Sequence, residues 1–317
     1  MSEKTILVTG ANGQLGRVLT NSLREIYGEA SVIASDLNFQ EDNRDPNSIF
    51  LDILNKDRFK ETIQDYNITE VYHMAAILSA SGEGNPLKTW NVNLNALLDL
   101  LEMCREMKVE KLFFPSTIAV FGTTTPRINT PQDVPLLPET VYGISKTTGE
   151  LWCNYYYKRY GLDVRSVRYP GIISYQSVPS GGTTDYAVEI YHEALKNGTY
   201  ECFLGPETAL PMMFIDDAIR ATIELMQAPA EAIKTRYSYN LSAMSFTPTQ
   251  LADSIRLAIP DFTITYEPDF RQAIADSWSE SIDDQRARDE WGWQPQFDLE
   301  KMTTIMLDKL KIKYHDY

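Results

Sequence analysis

The hydrophobic residues in the first half of the chain form two kinds of segment that alternate. Residues 4–10, 31–36 and 69–76 are short apolar runs without polar–apolar alternation. Such runs are typical of parallel strands that are covered on both faces. Residues 15–28 and 56–66 instead repeat their apolar positions at helical spacing. The alternation predicts an α/β fold with a doubly wound parallel sheet of the Rossmann type.

The same alternation continues to residue 170. It predicts helices at 89–108 and 142–161 and strands at 111–122 and 163–170, with a Pro- and Thr-rich loop at 123–139. Beyond residue 171 the pattern loosens into mixed helices and short strands.

This change of pattern predicts two domains in a chain of 317 residues. Residues 1–171 are expected to form the cofactor-binding domain. Residues 172–317 are expected to form mainly a smaller C-terminal substrate-binding lobe, with residues of roughly 212–242 returning to the first domain.

Composition and charge narrow the classes of partner. The formal net charge is −15, and such a surface disfavours nucleic acid and anionic membranes as partners. The three cysteines and three histidines are scattered, which argues against a disulfide framework and a metal site. No leader segment and no run of 18 apolar residues is present. We therefore expect a cytoplasmic protein without a bound metal.

A glycine-rich turn follows the first predicted strand. Gly10, Gly13 and Gly16 are spaced G-x-x-G-x-x-G between a strand and a helix, a context in which backbone N–H groups and the helix N-terminus bind a pyrophosphate. The second strand ends at Asp36, whose carboxylate would accept hydrogen bonds from the adenosine ribose and repel a 2′-phosphate. This favours NAD over NADP, and the alternative is that Asp36 merely caps a turn. Asp52, which precedes Ile53, would lie near the adenine.

Tyr142 and Lys146 are four residues apart at the start of a predicted helix, so they share one helix face. A nearby ammonium favours phenolate, and a tyrosine with a lowered pKa can act as a general base toward an alcohol. Ser116 would then hydrogen-bond the same substrate oxygen. The alternative is a solvated helix face, but the glycine turn, Asp36 and Ser116 occur in the expected order and favour catalysis.

The glycine spacing resembles that of the extended short-chain dehydrogenase/reductase family, which includes nucleotide-sugar epimerases and dehydratases. Other segments resemble the family in the same order, namely residues 74–76, the helix asparagine Asn91, Ser116, the Tyr142–Lys146 pair and residues 168–173. The resemblance implies NAD as cofactor, with Lys146 also holding the nicotinamide ribose. The expected cofactor contacts are Gly10, Asn12, Gly13, Gln14, Leu15, Gly16, Asp36, Asp52, Ile53, Met74, Ala75, Ala76, Asn91, Tyr142, Lys146, Tyr169, Gly171 and Ile172.

The second lobe separates two branches of that family. The nucleotide-sugar branch carries an R-D-x-x-Y/H-V-x-D segment, where this chain has "ALPMMFIDDAIRAT" with Leu210 and Pro211 in place of the Arg–Asp pair. This predicts a smaller and less cationic pocket. The segments "GGTTDYA" and "RQAIADSW" resemble the short-chain, NAD-dependent L-threonine 3-dehydrogenases. That resemblance extends over nearly the whole chain.

The resemblance implies oxidation of L-threonine at C3 to 2-amino-3-oxobutyrate, with Tyr142 as general base. Ser116 and Thr117 would position the hydroxyl. Ser79, Thr183 and Thr184 are candidates for the charged ends of the amino acid, and their alternative is ordinary loop capping. Trp278 would close over the substrate or, alternatively, anchor the core of the lobe.

Two other functions are also compatible with the sequence. The rivals are a nucleotide-sugar epimerase or dehydratase and a non-catalytic NAD-sensing protein; the latter is disfavoured by the presence of both Tyr142 and Lys146.

We expect a homodimer formed by the helices at 89–108 and 142–161. The supporting surplus of apolar residues consists of Leu94, Leu97, Leu98 and Leu101, unless the second lobe buries them.

Overall fold

The computed structural model describes residues 4–39, 45–176 and 182–315. Twelve strands and twelve α-helices are present in these ranges. The strands are β1 (Ile6–Thr9), β2 (Val32–Asp36), β3 (Ser48–Phe50), β4 (Glu70–His73), β5 (Lys111–Thr117), β6 (Asp163–Tyr169), β7 (Gly171–Ile173), β8 (Thr199–Cys202), β9 (Leu210–Phe214), β10 (Tyr239–Asn240), β11 (Met244–Phe246) and β12 (Thr263–Tyr266).

The helices lie between these strands. They are α1 (Gln14–Tyr27), α2 (Lys56–Asp65), α3 (Ser79–Glu83), α4 (Pro86–Trp90), α5 (Ala96–Met107), α6 (Val141–Tyr160), α7 (Tyr186–Lys196), α8 (Ile215–Gln227), α9 (Pro248–Arg256), α10 (Phe270–Asp276), α11 (Gln285–Trp291) and α12 (Leu299–His315). The predicted continuous helix at 89–108 is interrupted, because a π-helical turn at Asn91–Asn95 joins α4 to α5.

The central sheet has seven strands in the order β10-β6-β5-β4-β1-β2-β3. Every strand pair in it is parallel. This confirms the predicted doubly wound fold. Its strands lack polar–apolar alternation because both faces are covered. In β1, Ile6 and Val8 join one buried cluster while Leu7 joins the other.

The second half of the chain adds two small sheets, of order β11-β9-β7 and β12-β8. Helices α7, α9 and α12 pack against one another, while α8 packs on α1 and β10 extends the central sheet beside β6. We propose that α8 and β10 belong with residues 4–171 to a cofactor-binding unit and that the remaining elements form the substrate lobe. Within the described ranges, no helix is long and apolar enough to cross a bilayer.

The apolar surplus that was expected on α5 is not at the surface. Leu97 and Leu101 are fully buried, and Leu94 nearly so, in a cluster that runs from Leu7 to Val164. Only Leu98 is partly exposed. The argument for a dimer from these leucines is therefore wrong: the sheet and the neighbouring helices bury them, not the second lobe.

Exposed apolar side chains occur on α6 instead. Leu151 is 62% exposed, Tyr155 47% and Trp152 38%. The opposite side of the same helix carries Gly149 and Cys153 into the core.

Candidate active site

A cavity of about 440 Å³ lies at the carboxyl ends of the central strands. The strand order reverses between β1 and β4, and ligands of doubly wound sheets bind at such a switch point. The predicted site residues that line this cavity are Gly10, Gly13, Gln14, Leu15, Gly16, Met74, Ala76, Ser79, Ser116, Thr117, Tyr142, Lys146, Tyr169, Gly171, Ile172, Thr183, Thr184 and Trp278.

Further lining residues were not predicted, although each is a close sequence neighbour of a residue that was. They are Ile77, Leu78, Ser81, Pro115, Ile118, Pro170, Gly182 and Asp185. Six predicted residues lie outside the lining, and they are Asn12, Asp36, Asp52, Ile53, Ala75 and Asn91.

The glycine turn forms a cradle that side chains would fill. Gly10 has a φ of +66°, and a Cβ there would lie 2.7 Å from the backbone of Ala75. A Cβ on Gly16 would lie 2.1 Å from the carbonyl oxygen of Gly10. Helix α1 begins after Gly13 without a capping side chain, and its first residues, Gln14, Leu15 and Gly16, line the cavity. Its first N–H groups are therefore available to a ligand. These features fit a dinucleotide pyrophosphate.

Asp36 lies beside the turn at the end of β2. Its carboxylate accepts hydrogen bonds from the backbone N–H groups of Asn12, at 3.0 Å, and Asn38, at 2.9 Å. It thus caps the local turn and also faces the glycine cradle. Asp52 accepts from the N–H of Leu54 at 2.9 Å, and Ile53 is buried. Their roles toward adenosine stay predictions.

Tyr142 is positioned by the first turn of α6. The Thr140 side chain caps this helix by accepting from the N–H of Gly143 at 3.1 Å. A Cβ on Gly143 would lie 2.1 Å from the carbonyl oxygen of Ala119, so glycine lets the helix start pack directly on the segment after β5. Tyr142 and Thr117 thereby both line the cavity, and the Thr117 hydroxyl, as a hydrogen-bond donor, lowers the pKa of the phenol.

The prediction that Lys146 lowers the pKa of Tyr142 is wrong for the residues of the chain alone. Burial raises the pKa of Tyr142 to about 12, opposed by the hydrogen bond from Thr117. The Lys146 ammonium points to the carbonyl oxygen of Pro115 at 2.7 Å and lies 5.8 Å from the tyrosine ring centre. Burial lowers the pKa of Lys146 to about 7. The positive charge that was expected beside the phenol is therefore directed at Pro115 instead, and burial weakens it.

The predicted helix asparagine, Asn91, does not line the cavity, whereas Asn93, two positions further on, bonds to the backbone of a lining residue, Ile77. Asn91 is exposed and bonds to Asn95 at 2.9 Å. Asn93 is buried, accepts from the N–H of Ile77 at 2.8 Å and donates to its carbonyl oxygen at 2.9 Å. It thereby fixes the chain just after β4, where the cavity wall begins. The residue spacing alone could not distinguish two asparagines two positions apart.

The candidate substrate residues Ser79, Thr183, Thr184 and Trp278 all line the cavity. Ser79, Thr183 and Trp278 are each at least nine-tenths buried. The hydroxyl oxygen of Thr183 has no hydrogen-bond partner among the described residues, so it is available to a ligand. Gly181, the first glycine of the segment "GGTTDYA", lies outside the described residues.

The family of the protein follows from its sequence and its structure together. Residues 6–242 match the sequence model of the NAD dependent epimerase/dehydratase family. An uncharacterized epimerase/dehydratase of Staphylococcus aureus (strain USA300) is 46% identical over 314 residues, which cover 98% of each chain. The protein therefore belongs to the NAD dependent epimerase/dehydratase family.

Solved structures give a narrower likeness. The holo form of a GalE-like L-threonine dehydrogenase from Cupriavidus necator is 50% identical, with a TM-score of 0.93, over 96% of this chain and 99% of that one. The apo form of a monomeric L-threonine 3-dehydrogenase of metagenomic origin is 49% identical, with a TM-score of 0.94, over 98% of this chain and 99% of that one. The predicted kinship with the short-chain L-threonine 3-dehydrogenases is confirmed.

Proposed function

We propose that the protein is an NAD-dependent L-threonine 3-dehydrogenase, which oxidises L-threonine to 2-amino-3-oxobutyrate and forms NADH. One observation carries the proposal: Tyr142, Thr117 and Lys146 meet beside a glycine cradle in one cavity. This provides a proton acceptor and a dinucleotide site at the same place. The likeness to L-threonine dehydrogenases over nearly the whole chain supports the choice of substrate.

The cavity disfavours the alternative substrate, a nucleotide sugar. Its described lining has a single basic side chain, Lys146. Once the glycine cradle holds the NAD pyrophosphate, a second diphosphate would find few charged donors in this lining. Leu210 and Pro211, which replace the Arg–Asp pair, are buried in β9. A Cβ on Gly171 would lie 2.4 Å from the Met212 sulfur, so this methionine closes the wall there. The cavity end suits a small zwitterion.

The chain's own residues have distinct tasks in the reaction. Tyr142 takes the proton of the substrate hydroxyl at its phenol oxygen. Thr117 accepts from the N–H of Ala119 at 3.2 Å. As a donor to the phenol oxygen it would lower the pKa of Tyr142 and favour phenolate. Lys146 and the glycine cradle would hold NAD. When bound, NAD supplies the ring that accepts hydride from C3 and a positive charge that further favours phenolate.

The test of this function is NADH formation from NAD with L-threonine, compared with UDP-glucose as substrate. We expect the absorbance of NADH to increase with L-threonine and not with UDP-glucose. An inactive but folded and NAD-binding protein would overturn the threonine assignment, and turnover of UDP-glucose without net NADH formation would establish the alternative.

Asp36 provides a test of cofactor choice. Asp36→Asn should lower the ratio of kcat/KM for NAD to that for NADP at least about tenfold, because the substitution removes the negative charge that repels a 2′-phosphate. The ratio is measured with L-threonine saturating. Asp57→Asn, at the exposed start of α2, is the matched control. An unchanged ratio in Asp36→Asn would show that Asp36 only caps its turn.

We also propose a homodimer that buries the exposed side of α6. Leu151→Glu should convert dimer to monomer, because it places a charge in an apolar contact. Light scattering after gel filtration measures the mass. Leu257→Glu is the control, since Leu257 is 78% exposed on another surface. A monomeric wild type, as described for the metagenomic relative, would contradict the proposal.

A further inference from the structure

A buried ion pair lies directly behind Ser116. The Ser116 hydroxyl donates to the Glu150 carboxylate with an oxygen–oxygen distance of 2.5 Å. Arg168 donates from Nε to the same carboxylate oxygen at 3.0 Å and from Nη2 to the other at 2.8 Å. Its remaining nitrogen donates to the Gln132 carbonyl oxygen and to Asn240. Glu150 and Arg168 are each 1% exposed.

This arrangement fixes the direction of the Ser116 hydroxyl. A carboxylate accepts hydrogen bonds and does not donate them, so the single proton of Ser116 points to Glu150. Hydrogen bonds to a buried charged group are short and strong. Glu150 cannot turn away, because both of its oxygens also bond to Arg168. The lone pairs of Ser116 therefore face the cavity, which Ser116 lines.

We propose that Glu150 is a positioning residue that holds Ser116 as a hydrogen-bond acceptor toward the substrate. The inference rests on the proposed function. The single proton of the substrate hydroxyl goes to Tyr142, whereas the ammonium of L-threonine presents protons that such an acceptor recognises, in place of the predicted contact of Ser116 to the hydroxyl. Glu150 lies on α6, one helical turn beyond Lys146 and two beyond Tyr142. Helix α6 thus carries both the base, Tyr142, and Glu150, which orients Ser116 on β5.

Glu150→Asp tests the positioning role with the charge retained. The shorter side chain draws the carboxylate away from Ser116, whose place on β5 is fixed, whereas the long side chain of Arg168 can follow. We expect kcat/KM for L-threonine to fall about tenfold, as for the loss of one hydrogen bond to a charged group. The dissociation constant of NAD, followed by fluorescence titration, should stay unchanged.

A double-mutant cycle with Ser116→Ala separates positioning from general damage. If Glu150 acts through Ser116, Glu150→Asp should change kcat/KM less than about twofold once Ser116 is alanine. If Glu150→Asp lowered kcat/KM by the same factor in the wild-type and the Ser116→Ala backgrounds, the proposal would be overturned. Asp284→Asn is the control for disturbing a buried carboxylate, because Asp284 also bonds to an arginine, Arg288, at 2.7 Å but does not line the cavity.

The unfolding equilibrium gives a second readout that needs no activity. The same cycle in urea should show a coupling of about tenfold in the unfolding constant if the Ser116–Glu150 hydrogen bond exists. Independent effects would overturn the inference. Should Glu150→Asp not fold, Glu150→Gln replaces it in both cycles. A wild type inactive on L-threonine would overturn the proposed function, and the unfolding cycle would still decide the contact.

Discussion

Replacing Tyr142 by phenylalanine should slow NADH formation from L-threonine on the order of a thousandfold. The substitution deletes only the phenol oxygen, which is the proton acceptor of the proposed reaction. The ring keeps its packing against the neighbouring apolar core, so we expect the melting temperature to change little. Steady-state rates at saturating NAD and L-threonine measure the effect.

Tyr155→Phe is the matched control for this substitution. Tyr155 lies on the same helix but on its exposed side, and its loss of a hydroxyl should leave kcat unchanged. Thr117→Val should give an intermediate loss of about tenfold to a hundredfold, because it removes the hydrogen bond that favours phenolate. A Tyr142→Phe enzyme with more than a tenth of the wild-type kcat would show that another group takes the proton.

The parts of the site that could be predicted from the sequence are set by local geometry. The spacing of Gly10 and Gly16 indicates a turn, because Gly10 takes a φ of +66° and a Cβ on Gly16 would meet the Gly10 carbonyl oxygen. The spacing of Tyr142 and Lys146 likewise determines a shared helix face. Such features depend on a few consecutive residues, so an isolated segment reveals them.

The parts that could not be predicted depend on contacts distant in sequence. Asn93 rather than Asn91 bonds to Ile77 beside the cavity, and both asparagines lie in a π turn that the sequence pattern did not predict. Glu150 reads as a helix surface charge until the fold places Arg168 against it. The leucines of α5 could be seen as apolar, but the hydrophobic pattern does not reveal which surface covers them.

The pKa of Tyr142 shows the same limit for electrostatics. The sequence places an ammonium one helical turn away, yet the direction in which Lys146 points is set by the Pro115 carbonyl on β5. Burial, which the sequence does not report, then raises the pKa of Tyr142 against the hydrogen-bonding effect of Thr117. The positive charge of a bound cofactor would therefore be needed to bring the pKa of the phenol toward neutral pH, because the chain alone raises that pKa.

Lys146→Met should remove activity and stabilise the protein measured without added NAD. The loss of a group beside Tyr142 and the cofactor cradle should lower kcat/KM at least about a hundredfold. Burial lowers the pKa of Lys146 from 10.5 to about 7, which means that folding disfavours the ammonium by a few kcal/mol at acidic pH. The lost hydrogen bond to Pro115 costs about 1–3 kcal/mol in return. We expect a net rise of a few degrees in the melting temperature at pH 6.

The pH dependence of this stabilisation identifies its cause. Between pH 7 and 10.5 the unfolded chain keeps a proton on Lys146 that the folded chain has released. The unfolded state therefore binds more protons, and the contribution of Lys146 to wild-type stability rises with pH in this window. The advantage of Lys146→Met should shrink accordingly from pH 6 to pH 9, as measured by melting temperature. Lys158→Met, near the end of the same helix, should show no such trend. Two outcomes would contradict this account: a variant that is less stable than wild type at pH 6, or a stability advantage that grows with pH. Either would mean that folding stabilises the charged ammonium of Lys146 beside Tyr142 instead of disfavouring it.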